Sequence, residues 1–453
     1  MEPAVDVVPF RDAVRVWFGI SLQTFGGPAG QIAVMQHTLV DQKRWIGQQR
    51  FLHALSYCTL LPGPEAQQLA IYIGWLLNGV RGGLVAGVLF VLPGVVALLG
   101  LSALYVTAGD TTVVTAVFAA LAPAVLAIVA HAVVRVGRRA LRHPSLVALA
   151  VAAFVSLAAF AVPFPAVVAA SAAIGWALGR WVPGLRSSGA SETADQGPPP
   201  LIPDDALHHE RPDRSHALKV VAIGVLVWGV PVALVVALTG TGSIFTDQAL
   251  FFSGTALVTF GGAYAVLSYV AQKAVEVYHW LTPGEMVRGL ALAETTPGPL
   301  IMVVQFVAFV GAYRSPGSLD PWGAALLGAL LTTWVTFVPC FVFVFAGAPY
   351  VERLRDNQAL SAALAGVTAA VVGVIANLAL FFAVHTLFGE VDAVIRGPLH
   401  LQVPQLDTLR PWSVVVAVLA AVALFRLQWS VLRVLGVCAL VGLAVGVVQV
   451  LTG

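Results

Sequence analysis

Phe25-Gly26-Gly27, Trp45 and Pro62-Gly63-Pro64 recur as Phe260-Gly261-Gly262, Trp280 and Pro297-Gly298-Pro299, each 235 residues further along. A chain that carries the same interrupted text twice has to fold as two related copies, which limits its architecture more than any other feature does. Thr24 with Thr259 and Gly19 with Gly254 keep this register, whereas Pro93 pairs with Pro339 and His131 with Asn377 at 246 residues. The second copy therefore holds an insertion around Ser315 to Pro321.

The copies are built for lipid. Hydrophobic residues make up 59% of the chain and charged residues 10%, against roughly 25% charged in a soluble domain. Runs such as Gly83 to Val106, Leu218 to Leu238 and Val414 to Leu424 reach or approach the ~20 apolar residues needed to cross ~30 Å of hydrocarbon. Short alternating segments, the mark of an outer-membrane barrel, are not what the chain shows. No basic patch for nucleic acid is visible. Cys58, Cys340 and Cys438 lie in apolar runs without paired spacing and read as packing residues. The N-terminus places Glu2 and Asp6 before Arg11 and Arg15 and lacks the layout of a cleaved signal, so the first span is expected to stay.

The expected fold class is an all-α integral membrane protein with about thirteen transmembrane helices in two inverted homologous halves. The spans are read at 12–36, 51–77, 83–107, 112–134, 145–161, 164–180, 218–238, 248–272, 286–312, 322–347, 361–388, 411–425 and 430–451. Domains follow as a first membrane domain over 1–182, a polar cytoplasmic linker over 183–217, a joining helix over 218–246 and a second domain over 247–453. The linker is rich in Ser, Asp, Glu and His and contains Pro198-Pro199-Pro200, too little apolar surface to fold alone. With the N-terminus inside, 18 of the 24 basic residues fall on the cytoplasmic side and Lys43, Arg44, Arg50, Arg314, Arg396 and Arg410 outside, which follows the positive-inside rule. Six spans per copy plus one joining span invert the second copy. Inverted copies place equivalent segments face to face at mid-bilayer.

Gly and Pro break those segments. Each Pro-Gly-Pro removes backbone donors and disfavours helix before it, and the freed groups cannot face lipid. A half-helix starting after such a break aims unpaired N–H groups and the positive end of its dipole inward, which suits an anion. The dipole contributes ~0.3 to 2 kcal/mol, so an oxyanion also needs side-chain donors and positive charge. The expected substrate-binding set is Thr24, Phe25, Gly26, Gly27, Pro62, Gly63, Pro64, Gln67 and Gln68 from the first copy. From the second come Thr259, Phe260, Gly261, Gly262, Thr295, Thr296, Pro297, Gly298 and Pro299. Arg288, upstream of the second Pro-Gly-Pro, is the expected charge. A single Pro-Gly-Pro would more often be a packing kink, and two in one register, each after a Phe-Gly-Gly and a Trp, argue for a site.

Glu65 and Glu294 flank the two breaks. Withdrawal from water disfavours a charged carboxyl, so either is a candidate for proton coupling; capping of freed N–H groups, or pairing with Arg288, is the alternative. His131 and Asn377 are expected to hydrogen-bond between helices, with a proton relay at His131 as the minor reading. His208, His209 and His216 read as solvated linker rather than a metal tract. A Gly-Lys-Ser/Thr phosphate loop is absent, which disfavours an ATP-driven pump. An exported negative charge gains ~2.3 kcal/mol per 100 mV.

At these residues the sequence resembles the long-chain, two-domain type of the chromate ion transporter (CHR) family. The likeness rests on Phe25-Gly-Gly-Pro-Ala-Gly-Gln-Ile32, Arg44-Trp45, Leu61-Pro-Gly-Pro-Glu-Ala-Gln-Gln-Leu69 and Val91-Leu-Pro93 in the first copy. In the second it rests on Val258-Thr-Phe-Gly-Gly-Ala-Tyr-Ala-Val-Leu267, Trp280-Leu-Thr282 and Leu292-Ala-Glu-Thr-Thr-Pro-Gly-Pro-Leu-Ile-Met302. Ser268 stands where the family pattern has proline. The resemblance implies chromate export by a secondary transporter in the inner membrane, with the N-terminus cytoplasmic and the oxyanion between the copies. Sulfate or another tetrahedral oxyanion is the alternative cargo. The partners implied are chromate and membrane lipid, with a homodimer left open, no nucleic acid and no cofactor. An intramembrane enzyme would need a His-Glu-x-x-His or Gly-x-Ser-x-Gly arrangement, which the chain lacks. A passive channel is the remaining alternative.

Overall fold

The computed structural model describes residues 6–25, 27–181, 199–202, 214–260, 263–348 and 358–452. The chain is nearly all helical. In the first copy α1 spans Phe10–Ser21, α2 Gly27–Gln36, α3 Gln48–Cys58, α4 Glu65–Ala108, α5 Thr112–Ala140, α6 Pro144–Ala158 and α7 Phe164–Trp181. Helix α8 (Arg214–Thr239) joins the copies and begins before the expected linker ends. The second copy runs through α9 (Ile244–Val258), α10 (Ala263–Gln272), α11 (Pro283–Thr295), α12 (Val303–Arg314), α13 (Pro321–Gly347) and α14 (Gln358–Leu387) to α15 (Pro411–Phe425) and α16 (Val431–Thr452).

The 235-residue register reaches the backbone. A π-helical turn follows α2 at His37–Gln42 and α10 at Lys273–Val277. After each, one non-glycine residue turns left-handed, Arg44 at φ 52° and His279 at φ 53°. The following tryptophan N–H then closes on a carbonyl six residues back, Trp45 on Leu39 and Trp280 on Ala274, both at 2.8 Å.

Two of the expected spans are not single crossings. The Arg50 guanidinium reaches the Tyr72 hydroxyl at 3.5 Å and the Tyr57 and Tyr72 rings lie 5.4 Å apart, whereas an unbroken helix would hold residues 50 and 72 about 33 Å apart. The chain doubles back at Pro62-Gly63-Pro64. Val16 of α1 and Gln42 of the π turn line one cavity of about 390 Å³, so the segment 12–36 doubles back as well. Helix α4 reverses again where Asn78 and Gly79 leave helical geometry, Gly79 at φ 60°. Its limbs 65–77 and 80–108 then pack so closely that a methyl on Gly74 would sit 2.6 Å from the Gly82 carbonyl. Apolar length alone cannot separate a crossing from a hairpin, because both hide about 25 residues from water.

The reversals move three basic residues. Leu201 and Ile202 N–H groups donate to the Arg44 and Trp45 carbonyls, and Gly47 N–H donates to the Ile202 carbonyl. Lys43, Arg44 and Arg50 thus belong at the linker's end of the molecule, not opposite it. At the other junction Val7 N–H donates to the Leu77 carbonyl and the Asn78 amide to the Val8 carbonyl.

A second departure is a two-stranded antiparallel hairpin, β1 (Val391–Arg396) with β2 (Leu399–Pro404), in the connection from α14 to α15. It turns at Gly397, φ 59°, so the chain is not purely helical. Among the described residues, six helices are long and apolar enough to cross a membrane: Glu65–Ala108, of which the 80–108 limb runs unbroken, Thr112–Ala140, Ala217–Thr239, Pro321–Gly347, Gln358–Leu387 and Val431–Thr452. Helix α8 turns Leu218, Ile223, Leu226 and Leu238 outward at 62 to 76% exposure, as a helix facing lipid does.

The chain divides into two compact units, each containing parts of both copies: 1–98, 187–263 and 296–358 in one, and 99–186, 264–295 and 359–453 in the other. In the first, α13 packs on α8, α9 and α12. In the second, α5 packs on α11, α15 and α16. There Gly442 and Gly446 let α16 approach within 3 Å of where a methyl would meet Val117 Cα and Val113 Cα, the small-residue packing of membrane helices.

Candidate functional site

Both Pro-Gly-Pro breaks lie in the first compact unit. Gly63 and Gly298 adopt φ 122° and 103°, a region that side chains with a Cβ avoid. The left-handed turn points each glycine N–H away from its own helix. Gly63 N–H donates to the Thr259 carbonyl at 2.8 Å, and Gly298 N–H donates to the Thr24 carbonyl at 3.0 Å. Each copy's break is thus pinned by the residue before the other copy's Phe-Gly-Gly. The threonine hydroxyls turn back onto their own helices, Thr24 on the Ser21 carbonyl and Thr259 on the Thr255 carbonyl. Thr24 Oγ1 additionally accepts from Gly298 N–H at 3.2 Å.

The surroundings of the two breaks differ. Gln31 donates to the Gly298 carbonyl and Gln68 to the Pro62 carbonyl at 2.5 and 2.6 Å. A Cβ at Gly63 would lie 2.9 Å from both Cys340 Sγ and Gln68 Nε2, so the glycine is required twice over. A Cβ at Gly298 would meet Gly94 Cα of α4 at 3.3 Å. Glu65, half-buried, opens the 65–77 limb, whose first N–H groups have no partner within the helix. Gln67 in the same turn is fully buried, and neither its Oε1 nor its Nε2 has a hydrogen-bond partner among the described residues. At the second break the corresponding positions are Leu300, Met302 and Val303, all buried and apolar.

Phe25 is half-buried beside this crossing, and Gly27 is turned left-handed at φ 74°. Gly26, Gly261 and Gly262 lie outside the described residues, as do His208 and His209.

Glu294, Thr295 and Arg288 belong with α11 in the second unit. Glu294 is 2% exposed; its Oε1 accepts from the Tyr264 hydroxyl of α10 at 2.6 Å, and its Oε2 has no partner among the described residues. Arg135 of α5 is the cation whose field it feels. Thr295 Oγ1 is spent on the Leu292 carbonyl. Arg288 Nη1 lies 3.4 Å from the Tyr105 hydroxyl and stacks 5.7 Å from the Phe118 ring. Glu285 accepts the same tyrosine hydroxyl at 3.1 Å and the Thr282 N–H at 2.9 Å, an N-terminal capping pair for α11. Seven residues of helix place Arg288 about 10 Å from the end of α11 at Thr295. The full charge is held near the start of that helix. His131 packs edge-on against Phe425 at 5.0 Å, a helix-to-helix contact through its ring.

Reading residues in register paired the two breaks in sequence, without the bonds that tie each to the other copy's threonine carbonyl. It missed Tyr264, which lies opposite an alanine of the first copy, and Gln31, whose second-copy counterpart is Val266. Both positions break the repeat's symmetry, and that asymmetry was the available signal.

The family model described as "Chromate transporter" matches residues 11–176 and again 246–443. The chain is 32% identical over 361 residues to the "Chromate transport protein" of Pseudomonas aeruginosa, covering 78% of this chain and 76% of that protein. To the "Chromate transport protein" of Cupriavidus metallidurans it is 26% identical over 377 residues, 83% of each. A "Probable chromate transport protein" of Synechococcus elongatus is 26% identical over 353 residues, 78% of this chain and 79% of that one. No solved structure matches. Two matches of one model in one chain restate the duplication, and with four fifths of its length covered the chain belongs to the chromate transporter family.

Proposed function

We propose that the protein is a secondary transporter exporting chromate across the inner membrane, with the oxyanion received at the first Pro-Gly-Pro break. The observation that carries this reading is Gln67. A fully buried amide with neither polar atom bonded among the described residues stands in the opening turn of a helix, where the first N–H groups have no carbonyl one turn back, and a buried unmet amide is costly unless a ligand meets it. Neutral N–H donors donate to the oxygens of any tetrahedral dianion without choosing among them; the relatives' names supply chromate, and sulfate is the competitor. Thr24, Gln68 and Thr296, in the same unit, complete the proposed binding set.

Energy comes from gradients. A dianion leaving a negative interior gains about 4.6 kcal/mol per 100 mV, twice the single-charge value. Glu294, tied to Tyr264 and with its Oε2 unbonded among the described residues, is the proposed proton carrier, and Glu65 at the break is the proposed gate, because its charge would compete with the anion for the same helix end. The two copies are inverted in this reading. Turning two expected spans of the first copy into hairpins removes an even number of crossings, so an odd number still separates the copies.

Proteoliposome flux under imposed pH and voltage gradients, with chromate and sulfate both offered, tests the proposal. Chromate accumulation driven by voltage or pH, and lost in Gln67→Leu at equal abundance, is the expected result. Sulfate accumulation with no chromate flux would replace the cargo. Dissipation without accumulation would replace the carrier with a channel.

A further inference from the structure

The first turns of α5, the last turns of α16 and the start of α15 line a cavity of about 480 Å³ in the second unit. Its walls come from one face of each long helix. Ala116, Ala119 and Ala120 of α5 stand at helical spacing, as do Val441, Gly442 and Val445 of α16. A methyl on Gly442 would meet Val117 and one on Gly446 would meet Val113, so the two helices run antiparallel and Gln449 falls level with the residues before Val113. The cavity therefore has two unlike ends. One holds the Asp110 carboxylate, Thr112 and the Gln449 amide, and the other is lined by alanine, valine and glycine.

Depth in the bilayer sets what each end meets. Helices α5 and α16 are both long and apolar enough to cross a membrane, and the 22 residues of α16 make about 33 Å of helix against ~30 Å of hydrocarbon. Gln449 stands three residues from the end of α16, and Asp110 two residues before α5 begins. The polar end thus lies at headgroup level. Trp412, 53% exposed in the first turn of α15, marks the same boundary, as interfacial tryptophans do. The apolar end lies about 12 Å deeper, the length of eight helical residues from Gln449 to Val441. Ala119, Val441 and Val445 are exposed there, so the cavity opens sideways to lipid.

A charged mouth at the interface and an apolar body open to the bilayer suit a phospholipid, and the charge selects its headgroup. Asp110 has no cationic partner among the described residues. Its carboxylate repels an anionic headgroup and holds an ammonium by a charge-assisted hydrogen bond, while the Thr112 hydroxyl and the Gln449 amide are donors suited to phosphate oxygens. We propose that this cavity is a phospholipid site selective for a primary-ammonium headgroup, that of phosphatidylethanolamine, with Asp110 meeting the ammonium and an acyl chain lying against Ala119, Val441 and Val445. The site is separate from the Gln67 turn and does not depend on the cargo assigned there.

The test uses the full chain purified in detergent and stripped of lipid. It is melted with phosphatidylethanolamine or phosphatidylglycerol of identical acyl chains, and retained lipid is counted by native mass spectrometry. The expected result is a tightly held lipid and a melting point several degrees higher with phosphatidylethanolamine than with phosphatidylglycerol, because a ligand bound only by the folded state stabilises it by mass action. Asp110→Asn, at an exposed loop position, should fold normally and erase the difference between the two lipids. Ala119→Trp, which fills the apolar body from a lipid-facing position, should remove the retained lipid. Equal wild-type shifts with the two lipids would overturn the selectivity, and an ethanolamine preference that survives in either variant would place the lipid elsewhere. A dimer that Ala119→Trp splits with no loss of lipid would give the cavity to a second copy of the chain instead.

Discussion

The two glycine-proline breaks share a backbone and differ in almost every side chain around it. Gly63 and Gly298 adopt the same left-handed turn and make the same bond to the other copy's threonine carbonyl. After the first break come Glu65, Gln67 and Gln68; after the second come Leu300, Met302 and Val303. Duplication kept the device that crosses the copies and released the side chains to diverge. A backbone needing φ near 100° tolerates no residue but glycine, whereas the turn that follows is free to become either a binding surface or an apolar anchor. The first break carries buried polar side chains and the second only buried apolar ones, and the proposed ion site rests on that difference.

The comparison fails first at the glycines. Gly298→Ala adds a Cβ 3.3 Å from Gly94 Cα at φ 103°, and Gly63→Ala adds one 2.9 Å from Cys340 Sγ at φ 122°. Left-handed strain costs about 1–3 kcal/mol per residue before any clash. Both variants should lose nearly all chromate flux together with thermal stability. If one copy's glycine were dispensable, flux retained by a stable variant would show that the crossing is not reciprocal.

Side chains come next, and here the copies should part. Gln67→Leu should lower flux at least tenfold at unchanged abundance, the scale expected when a buried hydrogen-bonding group that meets the ligand is removed. Met302→Leu, in the equivalent turn of the second copy, should change flux less than twofold. Equal losses in the two would mean that Gln67 is packing.

What could be read from sequence divides along the same line. Residue identity in register located the two breaks, because a glycine or proline states its backbone requirement locally; the helix ends at Ser21 and Cys58 fall inside expected spans, and the partners of the two glycine N–H groups are seen only in the fold. Chain direction was not legible. Residues 51–77 are apolar enough for a crossing, and only the contact of Arg50 and Tyr57 with Tyr72 shows that they reverse. The β-hairpin had a signal in the alternation of Leu399, Leu401 and Val403 with His400 and Gln402 after Gly397, but its strands are short beside the surrounding helices.

The carboxyls give a smaller and more specific difference. Glu294 is clasped by Tyr264 and has no other hydrogen-bond partner among the described residues, and Glu65 sits at the positive end of a helix. If Glu294 carries the proton, wild-type flux should fall as pH rises and the carboxyl empties, while Glu294→Gln, fixed in the neutral form, should show a flattened profile. Tyr264→Phe should move the midpoint of the profile without flattening it, because it removes the hydrogen bond and leaves the carboxyl. Glu65→Gln should keep the slope and raise apparent affinity for chromate, since it removes a charge that competes for the same helix end. Flux against pH in the three variants decides the matter, and an unaltered profile in Glu294→Gln would leave membrane potential as the driving force.

The smallest effect should come from the crossing threonines, and its asymmetry is the finest probe of the comparison. Each glycine N–H is received by a backbone carbonyl that substitution cannot remove, but Thr24 Oγ1 adds a second acceptor to Gly298 N–H at 3.2 Å, whereas the Thr259 hydroxyl is turned wholly onto Thr255. Thr24→Val should therefore cost about 1 kcal/mol of stability, the net contribution of one hydrogen bond, and lower flux a few-fold. Thr259→Val gives up only a bond within its own helix and should be close to neutral in flux. Thermal melts and flux measured on the pair would show whether the second copy's break leans on the first copy's side chain. Equal shifts in both variants would make the carbonyls alone sufficient and the two breaks equivalent in strength.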